Sequence, residues 1–194
     1  ADNPLLWLEL ITSRDGLSWQ RVSSTNPLIG LGEVGEFDRF TNMIIGGPPV
    51  RVGDKLYLYY RGTAVRHSPY DGNDDTGKRF PGGIGLATLR VDGFASLAAG
   101  YDGGRVMTKT FRVRGGGMTV NTKADFGRLR MAVLDEQGKP LAGYTEQECI
   151  PIQEDGVQLQ VRWRNHASLT ALSGRPVRIR FQLENARLFS YRIA

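Results

Sequence analysis

The chain has 194 residues, 40% hydrophobic and 23% charged, with 25 Lys and Arg against 20 Asp and Glu for a net charge of +5. That is enough chain for one large or two small domains, and the composition excludes collagen-like, coiled-coil and fully disordered classes. No apolar run reaches the roughly 20 residues of a membrane-spanning helix and no secretory leader is visible, so the sequence argues for a soluble protein of undetermined compartment.

The single cysteine, Cys149, excludes an internal disulfide. Beside Ile150 it reads as a small buried hydrophobe rather than a reactive thiol. Glycine is frequent, at 25 residues, as expected for short strands joined by tight turns. Charge is uneven. Residues 1–101 carry ten Lys and Arg against eleven Asp and Glu, whereas residues 102–194 carry fifteen against nine. The shift falls at the Gly-rich "LAAGYDGGRV", residues 97–106, and places two domains at 1–101 and 105–194.

From the N-terminus, "LLWLELITS" (5–13), "KLYLYYRG" (55–62) and "GIGLATLRV" (83–91) are short, rich in branched or aromatic residues and bounded by Gly, Pro or Asp. These are strand signals, and almost nothing has helical period. "LELITSRDGLSW" and "IGLATLRVDGFASL" echo one another, with Asp15-Gly16 matching Asp92-Gly93 and Leu17 matching Phe94. Asp-Gly favours a tight hairpin turn, with the apolar residue behind it packed beneath. Between the echoes, "PPVRVGDKLYLYYRG" is a hairpin turning at Gly53-Asp54. One complete four-stranded unit therefore runs from about 35 to 97, preceded by half a unit at 5–22. Repeated four-stranded sheets are how β-propeller blades read.

"GEFDRFTN" enters the first strand of the complete unit. In an extended segment Glu36 and Asp38 aim to one side, where two carboxylates can orient sugar hydroxyls or act as acid and base. The plainer alternative is a turn capped by Asp38 and a solvated Glu36. Asn42 can hydrogen-bond hydroxyls from the same place. The connection "GTAVRHSPYDGNDDTGKRFPGG" (62–83) is long for a compact domain. Arg66 and His67 open it as candidate substrate-binding residues. Within it, Asp71, Asn73 and Asp75 have the spacing of the first ligands of a calcium loop. Thr76 stands where that loop needs Gly and Gly82 where it needs a bidentate Glu, so calcium is only a weak candidate and no cofactor is implied.

The C-terminal half alternates more strictly. In "VQLQVRWRN" (157–165) Val157, Leu159, Val161 and Trp163 share one side, and in "VRIRFQLEN" (177–185) so do Val177, Ile179, Phe181 and Leu183. "GRLRMAVLDEQGKPLAGY" (127–144) reads as two strands around a turn at Glu136–Lys139. Antiparallel strands with one wet face predict a β-sandwich, jelly-roll-like, over 105–194. Its core faces are Phe111, Val113, Leu129, Met131, Val133, Trp163, Ile179 and Phe181. The opposite faces carry Arg112, Arg114, Arg128, Arg130, Arg162, Arg164, Arg178 and Arg180. No outward aromatic interleaves with them to stack a base, so nucleic acid is the weaker reading of a basic face that equally suits an acidic polysaccharide.

"SRDGLSW", "GEFD", "PPVRVGDKLYLYYRG" and "IGLATLRVDGFASL", followed by an all-β tail, together resemble the C-terminal part of five-bladed β-propeller glycoside hydrolases. The nearest groups are families 32 and 43 and their uncharacterised bacterial relatives, in which a β-sandwich follows the propeller. The resemblance implies an all-β protein with about one and a half blades and a sandwich. It also implies that the family's catalytic carboxylates come from earlier blades, so no catalytic residue is carried over and the strands expected before Leu5 belong to an N-terminal segment. The expectation is a carbohydrate-associated module, non-catalytic alone, that self-associates or pairs with that segment. Two alternatives stay open. One is a glycoside hydrolase site completed by oligomerisation, using Glu36 and Asp38 with His67 binding substrate. The other is a basic module for nucleic acid or another polyanion.

Overall fold

The computed structural model of the chain describes residues 5–23, 25–67 and 82–194. Among them regular structure is all strand apart from one short 3-10 turn, Thr170–Leu172. The pairings between strands are antiparallel throughout. The chain divides into two compact units, Ala1–Phe94 and Ala95–Ala194.

In the first unit β1 (Ile11–Thr12) and β2 (Gln20–Arg21) form a small hairpin. β3 (Thr41–Ile44), β4 (Val50–Val52), β5 (Lys55–Thr63) and β6 (Gly82–Arg90) form a sheet around β5. β3 and β4 lie one after the other along one edge of β5, paired with its C-terminal and N-terminal ends. β6 runs along the whole of the other edge. The four strands thus make three rows, the first interrupted at "IGGPP", where proline removes ladder donors. The expected turn at Gly53-Asp54 joins β4 to β5, with Gly53 at φ +58°, the first-position geometry a II′ hairpin reserves for glycine. Leu6 bridges Thr41 in parallel and Leu8 bridges Ile29, which attaches the N-terminal segment to β3.

The two Asp-Gly turns do not share a conformation. At the first, Gly16 takes the positive φ and the Asp15 carboxylate accepts from the backbone N–H groups of Leu17 and Ser18. Those bonds, with one from the Ser13 hydroxyl, hold the Asp15 carboxyl well below the usual range. At the second, Asp92 itself has the positive φ, and the next strand leaves to pair elsewhere. The apolar residues expected beneath these turns are exposed instead, Leu17 at 86% and Phe94 at 38%. A carboxylate cap satisfies the first turn without any packing under it.

The second unit comprises β7 (Leu97–Ala99), β8 (Gly104–Met107), β9 (Phe111–Arg112), β10 (Met118–Lys123), β11 (Arg128–Leu134), β12 (Asp155–Gln160), β13 (Pro176–Glu184) and β14 (Ala186–Ile193). One sheet has the order β12-β10-β14-β7 and the other β11-β13-β8, with β9 pairing the start of β13. Because β7 pairs with β14, Leu97–Ala99 goes with this unit.

β13 alternates buried and half-buried residues from end to end, so its two-residue period translates directly into one dry face. Buried side chains of both sheets form one apolar cluster that includes Val113, Leu129, Met131, Val133, Trp163, Ile179 and Phe181, with the half-buried Phe111 packed against it. Trp163 donates its indole N–H to the Met131 carbonyl at 3.1 Å, satisfying the one polar atom it brings inside. Cys149 lies in the same interior, where burial pushes its thiol up. Two expected strands are shorter than their patterns. The chain leaves β12 at Gln160, although Val161 and Trp163 remain inward. After the turn at Gly138 (φ +85°), "KPLAGY" returns through bonds between Val133, Leu141 and Tyr144 rather than as a strand.

Candidate functional site

The sheet of the first unit gathers the sequence-level candidates around the start of β3 and the end of β5. Asp38 is buried and accepts from the Tyr60 hydroxyl at 2.7 Å. Burial first, and then the bond to Asp38, push the Tyr60 phenol up to about 12. At neutral pH Tyr60 is therefore a hydrogen-bond donor and not an acid–base group. Three glycines make room for the cluster. A side chain at Gly62 would meet Asp38 and the Phe37 ring, one at Gly83 would meet Phe37, and one at Gly32 would meet the Asp38 carboxylate and Glu36. Phe37 in turn stacks on Tyr60, with ring centroids 6.2 Å apart.

Glu36 and Asp38 are not on an extended segment. Residues 34–40 form successive turns and bends, which leave Glu36 exposed while Asp38 faces Tyr60. The two-residue period of a strand does not apply there, because Gly35, at φ +95°, folds the backbone before the pair. Both residues still border Gly32, and the Glu36 charge contributes to raising the Tyr60 phenol.

Asn42 is fully buried on β3. Its amide N–H2 donates to the Gly30 carbonyl at 2.7 Å, and its Oδ1 has no hydrogen-bond partner. A buried unpaired carbonyl costs on the order of 1–3 kcal/mol, so this atom is poised to accept a hydrogen bond. Beside it, the Thr41 and Thr63 hydroxyls both donate to the Val65 carbonyl at 3.0 Å, fixing the chain as it leaves β5. Arg39 and Arg66 both set their guanidinium groups over the Phe40 ring, 4.6 and 4.7 Å from its centre. Arg66 thus packs on Phe40 while His67 is exposed.

Asp71, Asn73 and Asp75 lie outside the described residues. Among the described residues no group of three His, Cys, Asp or Glu side chains is placed to hold a metal ion. No helix of the described residues is long and apolar enough to cross a membrane.

Tyr60 and Phe37 escaped the sequence reading. Tyr60 shares the parity of Leu58 and Gly62 on β5, the alternation that turns it inward. Phe37 carried no comparable signal, since its position stems from the turn at Gly35.

The arginines of the second unit are mostly engaged. Arg180 binds Glu146 through two nitrogens, the second contact at 2.9 Å, and Arg128 pairs with Glu184 at 2.6 Å. Arg130, Arg178 and Arg112 donate to backbone carbonyls of Glu146, Thr108 and Gly174. Comparison of the chain with protein-family models, curated proteins and solved structures finds no match.

Proposed function

We propose that the chain is a carbohydrate-associated module, with a propeller-blade-like first unit and a β-sandwich as the second, that binds sugar hydroxyls without turning them over. The observation that carries this reading is the buried Asn42 Oδ1 without a partner, close in the chain to the Asp38–Tyr60 pair. A carboxylate, a phenol and an amide side chain gathered here form the mixed donor and acceptor set that a polyol needs. One feature favours binding over catalysis: the Asp38 carboxylate is engaged by Tyr60. Arg66 and His67, at the end of the same sheet, are the further substrate-binding candidates.

The test combines a calorimetric titration with soluble oligosaccharides and an assay for hydrolysis of chromogenic aryl glycosides. Binding that Asp38→Asn and Asn42→Ala weaken, without hydrolysis by the parent chain, is the expected result. Hydrolysis abolished by Asp38→Asn would replace this reading with the glycoside hydrolase. Salt-sensitive nucleic-acid binding lost with the exposed arginines would replace it with the basic module.

A further inference from the structure

All three of the connections β7 to β8, β10 to β11 and β13 to β14 carry the chain from one sheet of the second unit to the other, and the register places them at the same end. The shortest uses a single residue, Asn185, at φ +43°. Asparagine tolerates that left-handed conformation better than other side chains. Asn185 also ties the three crossings together. Its backbone N–H donates to the Gly100 carbonyl at 2.9 Å, and its side-chain amide donates to the Phe126 carbonyl at 2.7 Å. Gly127 completes the knot, because any side chain there would strike the Glu184 and Asn185 carbonyls.

This stitched end presents side chains that turns do not ordinarily carry. Phe126, within the crossing from β10 to β11, and Tyr101, within the crossing from β7 to β8, are each 77% exposed. They are the two most exposed large hydrophobic residues of the second unit among those described. Nothing in turn geometry asks for Phe at that position, where small polar residues are the norm. The ring therefore stands in water on a backbone held at both ends. Behind it lies a cavity of about 320 Å³ lined by Gly100, Lys123, Asp125, Phe126, Asn185 and Arg187, among others. That volume is at the small end of the range for ligand sites, enough for one or two rings. Lys123 lies 3.5 and 3.6 Å from Asp125 and Asp155, which puts a carboxylate and an ammonium on the wall.

We propose that this end of the second unit is a saccharide-binding site, in which the sugar's apolar face lies on Phe126 and its hydroxyls meet Asp125, Lys123 and Arg187. A flat aromatic beside planar charged groups is the combination a sugar ring needs, because such a ring has an apolar C–H face and a polar rim. An apolar ligand would leave the Lys123 and Asp125 charges unsolvated. The site stands on its own geometry and does not depend on the Asp38 cluster.

The test is a glycan array of neutral and uronate-bearing oligosaccharides, followed by a titration of isotope-labelled protein with xylohexaose, maltohexaose and trigalacturonate monitored by NMR. The expected result is binding to at least one sugar at millimolar or lower concentration, with shifts mapping to Phe126, Lys123 and Asn185. Phe126→Ala should weaken it about tenfold or more, and because the ring is exposed the variant should melt with the parent chain. Arg187→Ala should weaken it, and because the shifts are read at Lys123, Asn185 and Phe126 they report this site separately from the one in the first unit. No saccharide that shifts Lys123 and Asn185, or shifts there that are indifferent to Phe126→Ala, would overturn the proposal.

Discussion

Two hydrogen-bonded pairs in this chain, Tyr60 with Asp38 and Arg180 with Glu146, give pH-dependent expectations. Tyr60 donates to Asp38 and is pushed up to about 12 by burial and by that bond. A phenol whose folded value lies above its ordinary one, near 10, contributes fully below that ordinary value and loses its contribution as pH rises through about 12. Ultraviolet titration of the tyrosines should therefore show a late transition that Tyr60→Phe removes and Asp38→Asn moves down. A wild-type titration without that late step would show that the pair is not formed. Glu146 is the opposite case. The two hydrogen bonds from Arg180 hold its carboxyl below the ordinary value. Its contribution is present above the usual carboxylate range and fades as pH falls through the lowered value. Glu146→Gln should destabilise the chain by about 1–3 kcal/mol at neutral pH. In urea unfolding at successively lower pH, the gap between parent and variant should close.

At the scale of elements, the crossings at the stitched end show what strand patterns cannot convey. Alternation in "VRIRFQLEN" announced β13 and its dry face correctly, because a two-residue period is all that a half-buried strand requires. The same rule could not show that the chain changes sheets at Asn185, since the pattern of β14 continues after a single residue. It also misjudged Glu36 and Asp38, where one positive φ at Gly35 converts an apparent strand into turns. The Asp-Gly echo failed for a related reason. The dipeptide specifies a turn, but which residue takes the left-handed conformation depends on where the chain goes after the turn, and here the two sites differ. All-β character and the interior of the second unit were legible; the candidate cluster was legible only in Asp38 and Asn42, because Tyr60 and Phe37 are brought in by tertiary packing. A contrast of glycines tests the stitched end. Gly127→Ala must displace two carbonyl oxygens, so about 2–3 kcal/mol of stability should be lost. Gly138→Ala meets open space and bears only the positive φ, for about 1 kcal/mol. Chemical denaturation midpoints that move equally would show that the knot around Asn185 carries no special constraint.

At the scale of the whole molecule, the two units are unequally supplied with interior. The second has a cluster of 20 buried apolar residues, whereas the first buries Ile29, Phe40, Leu58, Ala64 and Val65 among its described residues. Its remaining apolar side chains are arranged rather than scattered. The register sets Met43 beside Arg61, Arg61 beside Ile84, and Tyr59 beside Leu86 on one face of the sheet. Met43, Tyr59, Ile84 and Leu86 are each at least 45% exposed there. Among the described residues β6 also pairs on one side only, with β5. An open nine-residue edge beside an apolar face favours a second copy, since two such edges can pair antiparallel about a two-fold axis and continue both faces. We therefore expect light scattering during size exclusion to report a dimer or larger closed assembly at micromolar concentration. Ile84→Lys combined with Leu86→Lys should dissociate it, because two ammonium groups on the shared face cannot be buried without partners. Both positions are already in water in the single chain, so the variant should keep the strand content of the parent by circular dichroism. A parent chain that stays monomeric would show that the face is tolerated exposed, while the two binding sites are judged by their own titrations.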